Sequence, residues 1–171
     1  MKTIIIAASA ACALLAVPAM AQAEIQWSAD VGYTNINVDE LDVNLGVIQG
    51  RVTGMFTPNI GVEGEFGFGI ADDTVDVGGF DVSVELKHVA AGYVVLNWPV
   101  SERFDVYARA GYATLEVEAS AAGGGSASDS GSDSAVGFGV KGYFTAKDGV
   151  RADWTNYGGT DSFSIAYVRK F

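Results

Sequence analysis

The sequence predicts an all-β fold, an eight-stranded antiparallel barrel of up-and-down meander order, on three observations. Apolar and polar residues alternate with a period of two through almost all of the chain after residue 23, the signature of strands with two unlike faces. No segment after that point keeps apolar residues at helical spacing. The 22 glycines against three prolines suit many short strands joined by turns.

The first 23 residues stand apart. Lys2 precedes an apolar run over 4–17, Pro18 breaks it, and the small residues Ala21-Gln22-Ala23 follow. That order predicts a secretory signal peptide cleaved after Ala23, with Ala21 and Ala23 as the recognition pair. The run is too short for a membrane-spanning helix, which needs ~20 apolar residues. Cys12 is the chain's single cysteine, with Ser9 three positions earlier where a lipoprotein signal wants a large apolar residue, so lipid attachment is not expected. Removing 1–23 takes one Lys and no acid from the 10 basic and 21 acidic residues, leaving 148 residues with a net charge of −12. One domain, 24–171, is expected. Such an acidic chain, without a basic patch to neutralise phosphates, excludes nucleic acid as a partner.

Eight alternating segments are expected, at 25–36, 45–56, 60–70, 82–96, 104–118, 135–144, 150–157 and 162–171. In the first, Ile25, Trp27, Ala29, Val31 and Tyr33 oppose Gln26, Ser28, Asp30 and Gly32. The second is less regular, and a bulge is expected near Val47 and Ile48. The third is the cleanest, with Val62, Phe66, Phe68 and Ile70 against Glu63, Glu65 and Gly67. The fourth is again irregular. The fifth sets Phe104, Val106, Ala108, Ala110 and Tyr112 against Asp105, Tyr107, Arg109 and Gly111. The seventh sets Val150, Ala152 and Trp154 against Arg151 and Asp153, and the last sets Phe163, Ile165, Tyr167 and Phe171 against Ser164, Ala166 and Lys170. Turn residues make short connections at 57–59, 97–103 and 146–149. The connections at 37–44, 71–81 and 119–134 are longer, and the last, low in complexity and rich in Gly and Ser, is expected to be mobile.

Alternation alone does not say which face points outward. A soluble barrel that carries apolar ligands has the same period with its faces exchanged. The polar face, however, holds charges of both signs: Arg51, Lys87, Arg109, Lys141 and Arg151 against Asp30, Glu63, Glu65, Glu85 and Asp153. A solvated exterior needs no such balance, whereas buried charges need partners. Trp27, Tyr33, Tyr112, Trp154 and Phe171 fall toward segment ends on the apolar face, as interfacial girdles do. The expected molecule is therefore a transmembrane barrel with short turns on the periplasmic side and longer loops outside. Closure is what lets a β-structure cross lipid, because lipid offers the backbone no hydrogen-bond partners.

The stretch from Gly50-Arg51-Val52 through Thr57-Pro58-Asn59 to Glu63-Gly64-Glu65 resembles the second hairpin of small eight-stranded outer-membrane proteins, those similar to outer-membrane protein X and the membrane domain of outer-membrane protein A. Phe104 through Tyr112 resembles that family's fifth strand. Tyr167-Val168-Arg169-Lys170-Phe171 resembles its C-terminal assembly signal, with Tyr167 and Phe171 as the carriers, although Arg169 replaces the usual apolar residue two before the last. The resemblance implies the bacterial outer membrane, with lipid and lipopolysaccharide as surroundings and the barrel-insertion machinery as an assembly partner.

An eight-stranded barrel is just wide enough inside to be filled by its own side chains. Arg51, Glu63, Glu65, Glu85, Lys87, Arg109, Lys141, Arg151 and Asp153 are expected to form an internal ionic network there. The alternative is a narrow small-solute channel whose ion pairs exchange partners. Lipid-modifying enzymes on this architecture use a histidine with a serine and an acid; the deacylases keep that serine two residues after the histidine. His88 is the one histidine here, Ala90 stands at that place, and neither Ser83 nor Glu85 is required by spacing as a partner. No catalysis, cofactor or metal site is expected, and His88 reads as a wall or interface residue. The longer loops carry Asp39, Glu40 and Asp42, then Asp72, Asp73, Asp76 and Asp81, then Asp129 and Asp133, with no Lys or Arg. They suit diffuse attraction of divalent cations, without the spacing of a twelve-residue calcium loop. The expected role is a non-enzymatic barrel presenting acidic surface loops for envelope stability, adhesion or partner contact.

Overall fold

The computed structural model describes residues 24–38, 43–71, 73–76, 81–121 and 125–171. Among them are nine strands and no helix: β1 Gln26–Val38, β2 Val43–Met55, β3 Ile60–Ala71, β4 Asp73–Asp76, β5 Asp81–Ser101, β6 Phe104–Ala121, β7 Gly125–Tyr143, β8 Asp148–Tyr157 and β9 Thr160–Lys170. β3 and β4 lie along the same edge of β5, Ile60–Phe68 opposite His88–Leu96 and Asp73–Asp76 opposite Asp81–Val84. They act as one stave, so the wall has eight. All pairings are antiparallel, and β1 closes on β9 from Ser28↔Lys170 to Asn37↔Asp161. The barrel is closed and its staves follow chain order, as the alternation predicts.

The faces settle the orientation. Val31, Val52, Phe66, Phe68, Val94, Phe138 and Ile165 are exposed on the outer wall, whereas Arg51 and Arg151 retain only 2% and 0% of their surface. A carrier of apolar ligands has the reverse arrangement. Trp27, Trp98 and Phe104 mark the short-turn end of the outer belt, and Tyr33 and Tyr112 the opposite end. Exposed apolar surface on this scale is stable only against acyl chains.

Three differences from the sequence reading have physical causes. The expected bulge falls between Gly46 and Val47, and the extra residue is Ile70 on the facing strand. A second bulge lies between Leu86 and His88, with Lys87 as its extra residue. Because the side-chain period is two, one extra residue reverses the faces beyond it. Leu86 is accordingly buried along with Val89.

The strands also outrun the membrane. The connection expected at 119–134 shrinks to 122–124, because β6 and β7 stay paired from Tyr112↔Ser134 up to Ala121↔Gly125. Above the lipid both faces of a sheet meet water, so backbone pairing continues without apolar alternation to announce it. Likewise β5 continues through Pro99 to Ser101, across an irregularity where a proline's missing N–H is tolerated. The turn after it is only Glu102 and Arg103.

The lumen is not polar throughout. Toward the loop end Ile36, Leu45, Val47, Leu86 and Val89 pack together, with Leu115 against them. Tyr93, Ala113, Ala135 and Tyr157 form a second apolar layer. The ionic residues lie on the short-turn side of these layers.

Candidate functional site: an ionic core and a projecting hairpin

Period-two alternation delivers the ionic core. Asp30 on β1 faces Arg51 on β2 in register, and Arg51 faces Glu65 on β3. Arg109 enters from β6, Arg151 and Asp153 from β8. Arg51 Nε lies 2.9 Å from Asp30 Oδ1, its Nη1 donates to Asp153 Oδ2 at 2.9 Å, and its Nη2 donates to Ser164 Oγ at 2.9 Å. Arg109 Nη1 donates to Glu63 Oε1 at 2.7 Å and to Glu65 Oε2 at 2.8 Å; its Nη2 reaches Asp153 Oδ1 at 3.0 Å and Thr155 Oγ1 at 2.7 Å. Arg151 forks onto Glu63, with Nη1 to Oε2 at 2.6 Å and Nη2 to Oε1 at 3.0 Å, while Nη1 also reaches Asp30 Oδ2 at 2.9 Å. Its Nε donates to Tyr107 Oη at 2.5 Å and Asp153 Oδ2 at 3.1 Å.

Aromatic rings and hydroxyls complete the shell. Tyr157 Oη donates to Glu65 Oε1 at 2.8 Å, and Thr53 Oγ1 to Glu63 Oε2 at 2.7 Å. The guanidinium carbons of Arg109 and Arg151 lie 4.3 and 4.5 Å from the ring centres of Tyr93 and Tyr107. Three arginines face four carboxylates; among the described residues the buried Lys141, over the Tyr107 ring at 4.9 Å, adds a fourth positive charge, with the buried Asp105 opposite it in register. Forked, charge-assisted bonds of this kind hold position as well as charge.

Of the nine residues expected in the network, Arg51, Glu63, Glu65, Arg109, Arg151 and Asp153 come together. Lys141 is buried beside them but makes no carboxylate pair within 4.0 Å among the described residues. Lys87 does not join them. The β5 bulge leaves it half-buried, with an interaction of its own. The side chain of Glu85 lies outside the described residues, as do Ala21 and Ala23. The expected network omitted Asp30, although the sequence places it on the charged face, and the tyrosines. Their signal was parity: Tyr107 sits between Asp105 and Arg109 on the inward face.

His88 lies apart from the core, on the outer wall. Its Nε2 is 3.7 Å from Glu116 Oε2, and its ring stacks beside Phe66 at 6.2 Å. The side chain of Ser83 is outside the described residues. Among the described residues no group of three or more His, Cys, Asp or Glu side chains is gathered as a metal site. Of the acidic connection residues, Asp39, Glu40, Asp42 and Asp72 lie outside the described residues, as do the side chains of Asp73, Asp76, Asp81 and Asp129. Asp133 is exposed and accepts from the backbone N–H of Ser134 at 2.6 Å.

The C-terminal strand is tied to the short-turn rim. The Tyr167 hydroxyl donates to Asp148 Oδ1, and Arg169 Nη1 donates to the same oxygen at 3.1 Å. The backbone N–H of Phe171 donates to Trp27 O at 3.0 Å, and that of Lys170 to Lys147 O at 2.8 Å. Arg169 is therefore accommodated on the outer face by turning its guanidinium to an acid of the β7–β8 turn.

At the other end the wall is lopsided. β5, β6 and β7 have 21, 18 and 19 residues against 10 and 11 for β8 and β9. β8 pairs with β7 only from Ala135↔Tyr157 downward. Along 125–133 β7 therefore has β6 on one side and no strand on the other among the described residues. From Tyr112 to Ala121 the hairpin covers about 30 Å of strand.

The family model described as outer membrane protein β-barrel domain matches residues 7–170. No curated protein matches the chain. Among solved structures the chain is similar to Ail, the attachment invasion locus protein of Yersinia pestis, in complex with the heparin analogue sucrose octasulfate. The identity is 18% over 86% of this chain and 99% of that one, with a TM-score of 0.62. OprG from Pseudomonas aeruginosa is 13% identical, with 86% and 96% covered and a TM-score of 0.68. The N-terminal β-barrel domain of OprF from Pseudomonas aeruginosa is 13% identical, with 86% and 100% covered and a TM-score of 0.60. At such identities the likeness is one of fold. Closed wall, apolar exterior, ionic interior and family match agree: the chain belongs to the outer membrane protein β-barrel family, whose place is the bacterial outer membrane.

Proposed function

We propose that this chain is a non-enzymatic outer-membrane barrel whose ion-paired interior stiffens a wall that holds out the β5–β6–β7 sheet for surface contact. The observation that carries the reading is the length of the β6–β7 hairpin, paired to Ala121↔Gly125, with one edge of β7 left, among the described residues, without a strand along 125–133. An uncovered edge presents a row of backbone donors and acceptors. Loops and hairpins on a rigid scaffold are where binding concentrates.

The chemistry of the tips narrows the partner. Ail is bound to a polyanionic sugar, but the connections here are acidic and lack Lys or Arg. A neutral or basic surface, or one bridged by divalent cations, suits them better than a polyanion. Residues 1–23 would direct export and be removed after Ala23, and Tyr167 and Phe171 would present the terminal strand to the insertion machinery. Lipid and lipopolysaccharide would surround the apolar belt.

The test joins Glu116 directly to Ser130 through an Asn-Gly turn, which keeps the β6–β7 register while removing the hairpin top. Cells bearing either barrel are compared for adhesion to bare, protein-coated and polysaccharide-coated surfaces. Loss of adhesion with an intact barrel supports the reading. Equal adhesion on all three surfaces overturns it.

A further inference from the structure

The short-turn end of the barrel contains a cavity of about 380 Å³, within the range of small-molecule sites. Its chemistry is graded. Deep in the wall is Lys141, 4% exposed, whose ammonium lies over the Tyr107 ring at 4.9 Å; Asp105 faces it in register, but among the described residues no carboxylate lies within 4.0 Å of it. Also lining the cavity is Asn97, whose Nδ2 donates to Pro58 O at 3.2 Å while its buried Oδ1 has no donor among the described residues. Two exposed carboxylates, Glu24 and Glu102, stand at the mouth, and the buried Asp105 lines the wall between them and the Lys141 ammonium. Lys170 offsets Asp105, 4.0 Å from it and 3.6 Å from the Tyr143 ring centre.

A positive charge without a close ion pair at the bottom, an acceptor without a donor on the wall, and acids toward the rim form a dipole. We propose that this cavity binds a small zwitterion, carboxylate inward on Lys141 and ammonium outward toward the rim acids, with an N–H donated to Asn97 Oδ1. A simple anion satisfies Lys141 but meets the rim carboxylates on its way in. A simple cation is held at the rim and leaves Lys141 unmet. Only a molecule with both charges a few ångströms apart fits both ends, and the buried position of Lys141 is what makes the inner contact strong.

The site is at the opposite end of the barrel from the projecting hairpin and does not depend on the surface-contact reading. The experiment titrates the full barrel in lipid nanodiscs with alanine, propionate, ethylamine and glycine betaine, following backbone amide shifts by NMR. Alanine is expected to move Lys141, Asn97 and Asp105 and not the 112–134 hairpin. Propionate and ethylamine are expected to bind at least about tenfold more weakly, each lacking one charge-assisted contact. Betaine, which has no N–H, is expected to fall between. Lys141→Met, shown to be folded by its gel mobility before heating, is expected to lose the alanine response and Lys141→Arg to keep part of it. The wild-type shift map stands even if the methionine variant fails to fold. Alanine shifts absent from the cavity, an equal response to propionate, or an undiminished response in folded Lys141→Met each overturns the proposal.

Discussion

Replacing Arg151 with methionine tests the ionic core most directly. Methionine keeps most of the volume and removes the charge, so the cost is electrostatic rather than that of a cavity. Arg151 is fully buried and donates to Asp30, to both oxygens of Glu63, to Asp153 and to Tyr107. Without it Glu63 keeps Arg109 and Thr53, Asp30 keeps Arg51, and the interior gains one uncompensated negative charge. Breaking a buried pair from one side costs about 3–5 kcal/mol. Glu63→Gln removes the matching charge, so the double variant should be more stable than the two single losses add up to, by about 2–3 kcal/mol of coupling. The assay is reversible urea unfolding in lipid vesicles, followed by tryptophan fluorescence and by gel mobility, with slopes compared as well as midpoints. A loss below about 1 kcal/mol for Arg151→Met, or strict additivity in the double variant, would refute a core held by charge pairing.

Other perturbations separate the core from the rim. Arg169→Ala removes a pair that is half-exposed on the arginine side, and the same unfolding assay should show no resolvable change. Gly158 and Gly159 turn β8 into β9 with φ of 58° and 106°, as the two-residue hairpin turn demands. Gly158→Ala puts a methyl group against the Asp133 carboxylate and should cost about 1–2 kcal/mol or more in the same unfolding measurement. Unheated samples in detergent should migrate apart from boiled ones, because a closed barrel leaves no backbone edge within the belt. Planar bilayers should show no openings for the wild-type barrel, whose lumen is occupied by paired arginines and two apolar layers. His88→Ala should leave the lipid A composition of producing cells unchanged, since His88 meets Glu116 on the outer wall.

The parts legible in the sequence are those where the period of two survives. On β3, β6, β8 and β9 every second residue alternates between lipid and lumen, so Glu63, Glu65, Arg109, Arg151 and Asp153 could be assigned inward without coordinates. The β5 bulge hid the displacement of Lys87 from the lumen. One extra residue reverses the faces, and no apolar count reveals where it is inserted. The inner apolar layers were equally hidden, because Leu45 or Val47 facing a packed lumen is indistinguishable in sequence from the same residue facing lipid. The hairpin top was missed for the opposite reason. Its Gly, Ser and Ala residues pair through their backbones in water, where nothing selects for alternation.

The ionic cluster takes its members from the first three staves and from the fifth and seventh, and Arg51 reaches Ser164 beside the seam where the terminal strands meet. A wall only partly built would leave guanidinium and carboxylate groups facing acyl chains, at a cost no single hairpin can offset. Entry into the bilayer is therefore a concerted event. The staves must curl and zip together before or while they cross, and a chain arrested short of its final seam has no low-energy place in the lipid.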